Sequence, residues 1–190
     1  MNWLAAALIA MPPPNAVLLV AKPGMADPNF RETVVLVTQA PDASTVGVIL
    51  NRPTKRKHET SGEAVHEGGP VMREVLVALF RAEREPPAAF HVLPGVYLSM
   101  HPDNIAAPAP ERRLYAGFAG WAPGQLQNEL ARDAWYVVPA NMDLLFRNDT
   151  GNLWRELVDK ATGRVAMQRK EMPRFSGAVA NHLSPGILVP

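Results

Sequence analysis

The sequence predicts a single α+β domain in which short strands form a sheet and helices pack an apolar stripe onto it. Three observations lead there. Short runs rich in valine, leucine and isoleucine recur at close intervals, at 16–21, 33–38, 46–50 and 75–80, and runs of this kind bounded by turn residues form strands. Many of the 19 prolines stand at the edges of these runs, as in Lys22-Pro23-Gly24, Asn51-Arg52-Pro53 and Gly68-Gly69-Pro70, which fixes turns and keeps the strands short. Apolar residues at helical spacing appear late, at Leu126 and Leu130 and again from Leu153 to Ala161, so helices follow most of the sheet in sequence.

Taken in order, residues 1–15 form an N-terminal extension or signal-like segment, 16–163 the domain, and 164–190 a basic, partly disordered tail. Trp3 to Met11 is an apolar run followed by three prolines. It is too short to span a bilayer, and it reads either as an annexed N-terminus or as the apolar core of a secretory signal. Against export, no Lys or Arg precedes it and no small-x-small cleavage site follows.

Ala16 to Ala21 is the first strand and Lys22 to Asn29 a turn-rich loop. Thr33 to Thr38 is a β-branched strand covered on both faces, and Val46 to Leu50 pairs antiparallel to it across a short loop. Lys55 to Gly69 is polar, with Lys55-Arg56-Lys57-His58 at its start. Val75 to Phe80 is a further strand, Arg81 to Pro87 a charged turn, and Phe90 to Met100 one or two short strands. His101 to Pro110, with its three prolines, is expected to be a loop.

Arg113 to Phe146 organises the rest, in the order strand, glycine-rich turn, helix, strand, short helix. Leu114, Ala116 and Phe118 alternate with Tyr115, Gly117 and Ala119, and small or apolar residues on both sides mark a central strand. Gly117 and Gly120 leave room for close approach. On that reading, valine at Gly120 overpacks the strand and costs about 1 to 3 kcal/mol. Pro123 fits the first helical position after a cap at Ala122, with Trp121 packing on Leu126 across the helix entry. Asp149 to Gly163 is the last helix, with Leu153, Trp154, Leu157, Val158 and Ala161 on one face, Glu156 paired to Lys160, and Gly163 as a left-handed cap.

Composition narrows the function classes. With 47% hydrophobic and 19% charged residues and a net charge of +1, the chain is globular, without the overall field that draws nucleic acid or an acidic membrane. It has no cysteine, which excludes disulfides, thiolate metal sites and cysteine nucleophiles.

No catalytic, cofactor-binding or metal-binding residue stands out. His58, His66, His91, His101 and His182 nowhere fit the spacing that sets two ligands on one helical turn. Ser44, Ser61, Ser99, Ser176 and Ser184 lie outside the Gly-x-Ser-x-Gly elbow. Ser99, His101 and Asp103 are neighbours in sequence, whereas triad members come from separate elements. Gly117, Gly120 and Gly124 match neither phosphate-binding fingerprint. Trp121, Trp135 and Trp154 serve as core anchors in preference to base-stacking platforms.

Several of these segments, in this order, resemble the YqgE/AlgH family of bacterial proteins: Lys22 to Phe30 (KPGMADPNF), Val46 to Pro53 (VGVILNRP), Gly68 to Val71 (GGPV), Tyr115 to Leu130, Ala134-Trp135 through Pro139-Ala140, and Leu153-Trp154. The resemblance covers residues 17 to 162. It implies a mixed, barrel-like sheet with flanking helices, a cytoplasmic location, and a name drawn from a proposed role in transcriptional regulation, with no catalytic residue or cofactor. A signal at the N-terminus would instead make the protein exported or periplasmic. The chain departs from the family pattern between Pro53 and Gly68, which is short and basic, and after Met100, where His101-Pro102-Asp103-Asn104 replaces a helical segment.

The expectation for function is a non-enzymatic regulatory or interaction protein with a protein partner and no cofactor. Arg52, Lys55, Arg56 and Lys57 are the candidate contact residues, because loops on a rigid scaffold carry such contacts. Two alternatives remain: a nucleic-acid binder using the basic loop and tail, and an unrecognised hydrolase or metal-dependent enzyme.

Overall fold

The computed structural model describes residues 15–40 and 42–171, with side chains through residue 163. The signal-like run and the distal tail lie outside these residues. Strands β1 (Ala16–Ala21), β2 (Val34–Gln39) and β3 (Thr45–Ile49) follow each other antiparallel, β2 and β3 across a short loop. Next come β4 (Val65–Glu67), β5 (Val71–Arg81), β6 (Phe90–Leu93), β7 (Val96–Ser99) and helix α1 (Pro102–Ala106). Strand β8 (Arg112–Trp121), helix α2 (Gln125–Ala131), β9 (Trp135–Pro139), α3 (Met142–Leu145) and α4 (Leu153–Glu171) complete the order.

The strands form one sheet in the order β6-β7-β5-β8-β3-β2-β1-β9, with β4 paired in parallel to β8. β8 is central, as its two apolar faces predict: it pairs with β3 through one end and with β5 and β4 through the other. The sheet curls into a half-barrel. Its β6 edge approaches the β1–β2 part of the sheet at a seam where the Asn15 N–H donates to the Val92 carbonyl at 3.1 Å and the Thr38 hydroxyl to the His91 carbonyl at 2.7 Å.

Alternation sorts the apolar residues into separate cores. Leu18, Val20, Leu36, Val48, Leu79 and Tyr115 face a main core that Leu145 of α3 and Leu153, Leu157 and Val158 of α4 close. Leu19, Val35, Ile49 and Ala119 point the other way, against Trp121, Trp135 and Leu126 of α2. Over the remaining half of that face, Ala78, Phe80 and Leu114 pack with Val65 and Tyr97, and Ile105 of α1 covers them.

The motif around Lys22 shapes the second core. The Asp27 carboxylate accepts the Asn29 N–H at 2.8 Å and the Asp27 carbonyl accepts the Phe30 N–H. The resulting turn stacks Phe30 on Trp121 at 5.8 Å and edge-on to Trp135 at 5.6 Å. Both indole N–H groups donate to one oxygen of Glu129 at 3.0 Å.

Several expectations need correction. His101 to Pro110 is not wholly a loop, because Pro102 occupies the first turn of α1 with its φ already helical and the His101 ring accepts the Asp103 N–H at 3.3 Å. Helix α2 begins at Gln125, since Gly124 caps it at φ +82° and the preceding residues turn. Asp149 to Asn152 form a turn before α4, and the helix runs through Gly163 to Glu171, so that glycine is no cap. Gly120 is exposed and a Cβ there would touch only the Phe118 ring at 3.5 Å, so valine at this site has space. The close approach belongs to Gly117, which is buried at φ +72° beneath the Gly68-Gly69-Pro70 crossing.

Candidate functional site

Three segments distant in sequence enclose an open hollow of about 550 Å³. Its lining is apolar where Val75 and Leu76 of β5, Met100, and Ile105 and Ala106 of α1 contribute, and polar where His58, Thr60, Ser61, Glu74 and Arg112 do. Each segment is held by local chemistry. The Ser99 hydroxyl donates to the Ala88 carbonyl at 2.8 Å and accepts from the Asn104 amide at 2.9 Å, which also donates to the Pro87 carbonyl at 2.8 Å. This buried network docks α1 onto the turn before β6.

Arg112 ties the two sides together. Its Nε donates to the Glu63 carboxylate at 3.0 Å, Nη2 donates to the other carboxylate oxygen, and Nη1 donates to the Ile105 and Ala107 carbonyls, each at 2.7 Å. The forked bond from Arg112 holds the Glu63 carboxyl below its ordinary range, against the opposing effect of partial burial. Across the loop, His58 Nδ1 and the Ser61 hydroxyl share a hydrogen bond of 2.9 Å. Beside the hollow, β5 begins with an irregularity between Val71 and Leu76, and Val71 and Met72 stand exposed, Met72 at 54%.

The four cations singled out in the sequence separate. Lys55, Arg56 and Lys57 are exposed on the loop that borders the hollow. That loop is ordered by a Lys57–Ala64 bridge and by the Val65 N–H, which donates to the Arg56 carbonyl at 2.9 Å. Arg52 instead braces the scaffold, pairing with Glu67 at 3.2 Å and reaching the Pro28 and Arg31 carbonyls at 3.5 Å.

The remaining candidates are dispersed. Ser99, His101 and Asp103 build the α1 cap, His91 packs edge-on to Tyr97 at the barrel seam, and His66 lies tilted on Tyr115 at 5.7 Å. His182 lies outside the described residues. Trp121 and Trp135 are buried in the second core, and Trp154 donates to the Ala21 carbonyl at 2.7 Å. Among the described residues no three His, Asp or Glu side chains are grouped to hold a metal ion, and no helix is long and apolar enough to cross a membrane. Sequence reasoning missed the hollow because its lining residues, read one segment at a time, look like ordinary strand and loop.

The fold and sequence have known counterparts. The AlgH-like family (DUF179) matches residues 18–166. A UPF0301 protein of Streptomyces coelicolor is 36% identical over 79% of this chain and 88% of its own, and one of Xylella fastidiosa is 33% identical over 84% and 93%. The solution structure of the AlgH protein from Pseudomonas aeruginosa superposes with a TM-score of 0.65 at 22% identity, covering 89% of this chain and 95% of that one. A crystal structure of a Corynebacterium diphtheriae protein gives 0.62 at 25% identity, over 85% and 89%. With the glycine, proline and tryptophan motifs accounted for as scaffold and the match spanning nearly the whole described domain, the chain belongs to the AlgH-like family.

Proposed function

We propose that the protein is a non-enzymatic interaction protein of regulatory type, which takes a protein partner at the hollow and at the basic loop beside it. The observation that carries this reading is the adjacency of an apolar bowl, two exposed apolar residues at the start of β5, and three exposed cations. A partner segment bearing an apolar side chain next to a carboxylate complements that surface, the apolar group supplying affinity and the charge supplying orientation. Lys55, Arg56 and Lys57 make the contact, and Arg52 keeps the loop in place.

The test is crosslinking in cells with a photoreactive residue at Lys57 or Met72, and at Val137 on edge strand β9 as the control. A discrete adduct from the first two positions, that from Met72 being lost when Lys55, Arg56 and Lys57 are changed to alanine, is the expected result. Adducts from Val137 alone, or adducts indifferent to the alanine changes, would overturn the proposal. A mobility shift of nucleic acid that weakens steeply with salt would favour the nucleic-acid reading instead.

A further inference from the structure

The sheet ends in two strands, and they are treated differently. At the β6 end, Asn15 and Thr38 reach the Val92 and His91 carbonyls and close the seam. β9, at the other end, pairs with β1 on one side, and its outer side meets no strand among the described residues. Register decides which backbone groups face outward. The Lys22 N–H donates to the Ala134 carbonyl at 3.1 Å, so this couple belongs to the hydrogen-bonded set of the β1–β9 ladder, and Val20–Tyr136 and Leu18–Val138 follow in the same phase. The other side of β1 agrees, because the Ala21 N–H donates the opposite way, to the Thr33 carbonyl at 3.0 Å. Trp135, Val137 and Pro139 lie opposite Ala21, Leu19 and Val17 in the alternate set, and their backbone groups point away from β1. Pro139 suits that phase, since the N–H it lacks is one that would have pointed outward. None of the turn and loop hydrogen bonds among the described residues takes up the Trp135 or Val137 N–H or the three outward carbonyls.

The side chains leave this edge open to pairing. Val137 is 52% exposed, one of three large apolar residues exposed among the described residues, and the other two, Val71 and Met72, stand beside the hollow. Strand β9 reads Trp-Tyr-Val-Val-Pro, without the charged residue that commonly guards an edge. Asp133, just ahead of it, is paired with Lys22, so that end of the strand brings no net charge toward a neighbour. A row of outward N–H and carbonyl groups flanked by an exposed valine and proline is a template for another strand.

We propose that β9 pairs antiparallel with β9 of a second copy of the chain, about a two-fold axis at Val137. The strand is self-complementary in that register. Each Val137 N–H donates to the Val137 carbonyl of the other copy, and each Trp135 N–H donates to the Pro139 carbonyl, for which proline needs no donor of its own. All five residues of β9 are aligned, and Val137 and Pro139 of the two copies share one face and cover one another. So short a strand covers far less than the roughly 1,600 Å² of a standard interface, and the association is therefore weak and concentration-dependent. The interface lies at the end of the sheet away from β5 and the hollow and does not depend on the partner-binding reading. A Val137 photoadduct that joins two copies is told from a partner adduct by its mass.

The experiment is sedimentation equilibrium of the full chain from about 10 μM to 1 mM, with disulfide formation as the readout of register. The expected result is a reversible monomer–dimer equilibrium within that range. Val137→Pro removes an outward N–H and leaves the β1–β9 ladder intact, so it should abolish the dimer in a folded chain. If that variant does not fold, Val137→Lys, which sets two cations against each other at the axis, should weaken the dimer roughly tenfold or more. The chain has no cysteine, so Val137→Cys tests the axis directly. Its two Cα atoms would stand about 5.5 Å apart, within reach of a disulfide, and mild oxidation should yield a covalent dimer. Pro139→Cys, about 13 Å from its counterpart in this register, should not. A chain that stays monomeric throughout, a dimer unchanged in the folded Val137→Pro or Val137→Lys protein, or Pro139→Cys crosslinking as readily as Val137→Cys would overturn the proposal. Adducts from Val137 to another protein alone would overturn it as well, by assigning the edge to a foreign strand.

Discussion

Replacing Gly117 by alanine tests the crossing that lets the sheet curl. The Gly68-Gly69-Pro70 segment passes over β8 at this point, with the Gly68 N–H donating to the Ala116 carbonyl at 2.8 Å and the Ile49 N–H to the Gly68 carbonyl at 2.9 Å. A Cβ on Gly117 would stand 2.6 Å from the Gly69 oxygen, 2.9 Å from the Val71 oxygen and 3.1 Å from the Arg73 Cα, all backbone atoms that cannot swing aside. The left-handed φ of +72° adds about 1–2 kcal/mol for any L side chain, and the overpacking about 1–3 kcal/mol. Together they predict a loss of about 2–5 kcal/mol, or a melting temperature lower by roughly 4–20 °C for a domain of this size. Gly120→Ala is the control: exposed and in ordinary contact, it should leave stability unchanged or raise it by up to about 1 kcal/mol. Calorimetry of the two variants decides the matter. A Gly117→Ala protein melting within about 2 °C of the unaltered one would show that the crossing yields, and that steric closeness does not set the curl.

Three further predictions concern polar anchors. Glu129→Leu strips the acceptor from two indole N–H groups and should cost about 2–4 kcal/mol in urea unfolding, with Glu129→Gln costing less than half as much; equal costs would mean that the shared acceptor contributes nothing. Because the Glu63 carboxyl is depressed in the folded state, its contribution is present above its ordinary value of 4.5 and is lost as the pH falls through the lower folded value. Glu63→Gln should accordingly flatten the decline in the urea midpoint between about pH 5 and pH 3, and parallel curves for the two proteins would refute that. Arg112→Lys keeps the charge but cannot reproduce the fork, so hydrogen exchange in 58–63 and 105–107 should quicken while β1 and β2 stay protected. Exchange unchanged in those two segments would show that Arg112 does not hold the hollow together.

Much of the fold was legible because local pattern and tertiary role coincide. The β-branched runs became β1, β2 and β3, and Leu126, Leu153 and Leu157 met the sheet as their spacing required. Strand β4 escaped notice because three residues carry no period, and α1 because its cap is an imidazole and its anchors are Ser99 and Asn104 rather than an apolar stripe. Nothing local distinguishes Gly117 from Gly120; only the segment crossing above the strand does. Arg52 read as one more exposed cation, yet its partners come from two separate places in the chain, the loop at Pro28 and Arg31 and the strand at Glu67. The hollow, made of polar loop, strand and helix together, had no signature within any one of them.

Strand β1 takes β2 on one side, close in sequence, and on the other β9, whose pairing runs from Val17–Pro139 to Ala21–Trp135. Until Pro139 has been synthesised, β1 has an open flank. A fragment ending before β9 would therefore expose one flank of β1 as an unpaired edge, the kind of edge that pairs with other chains.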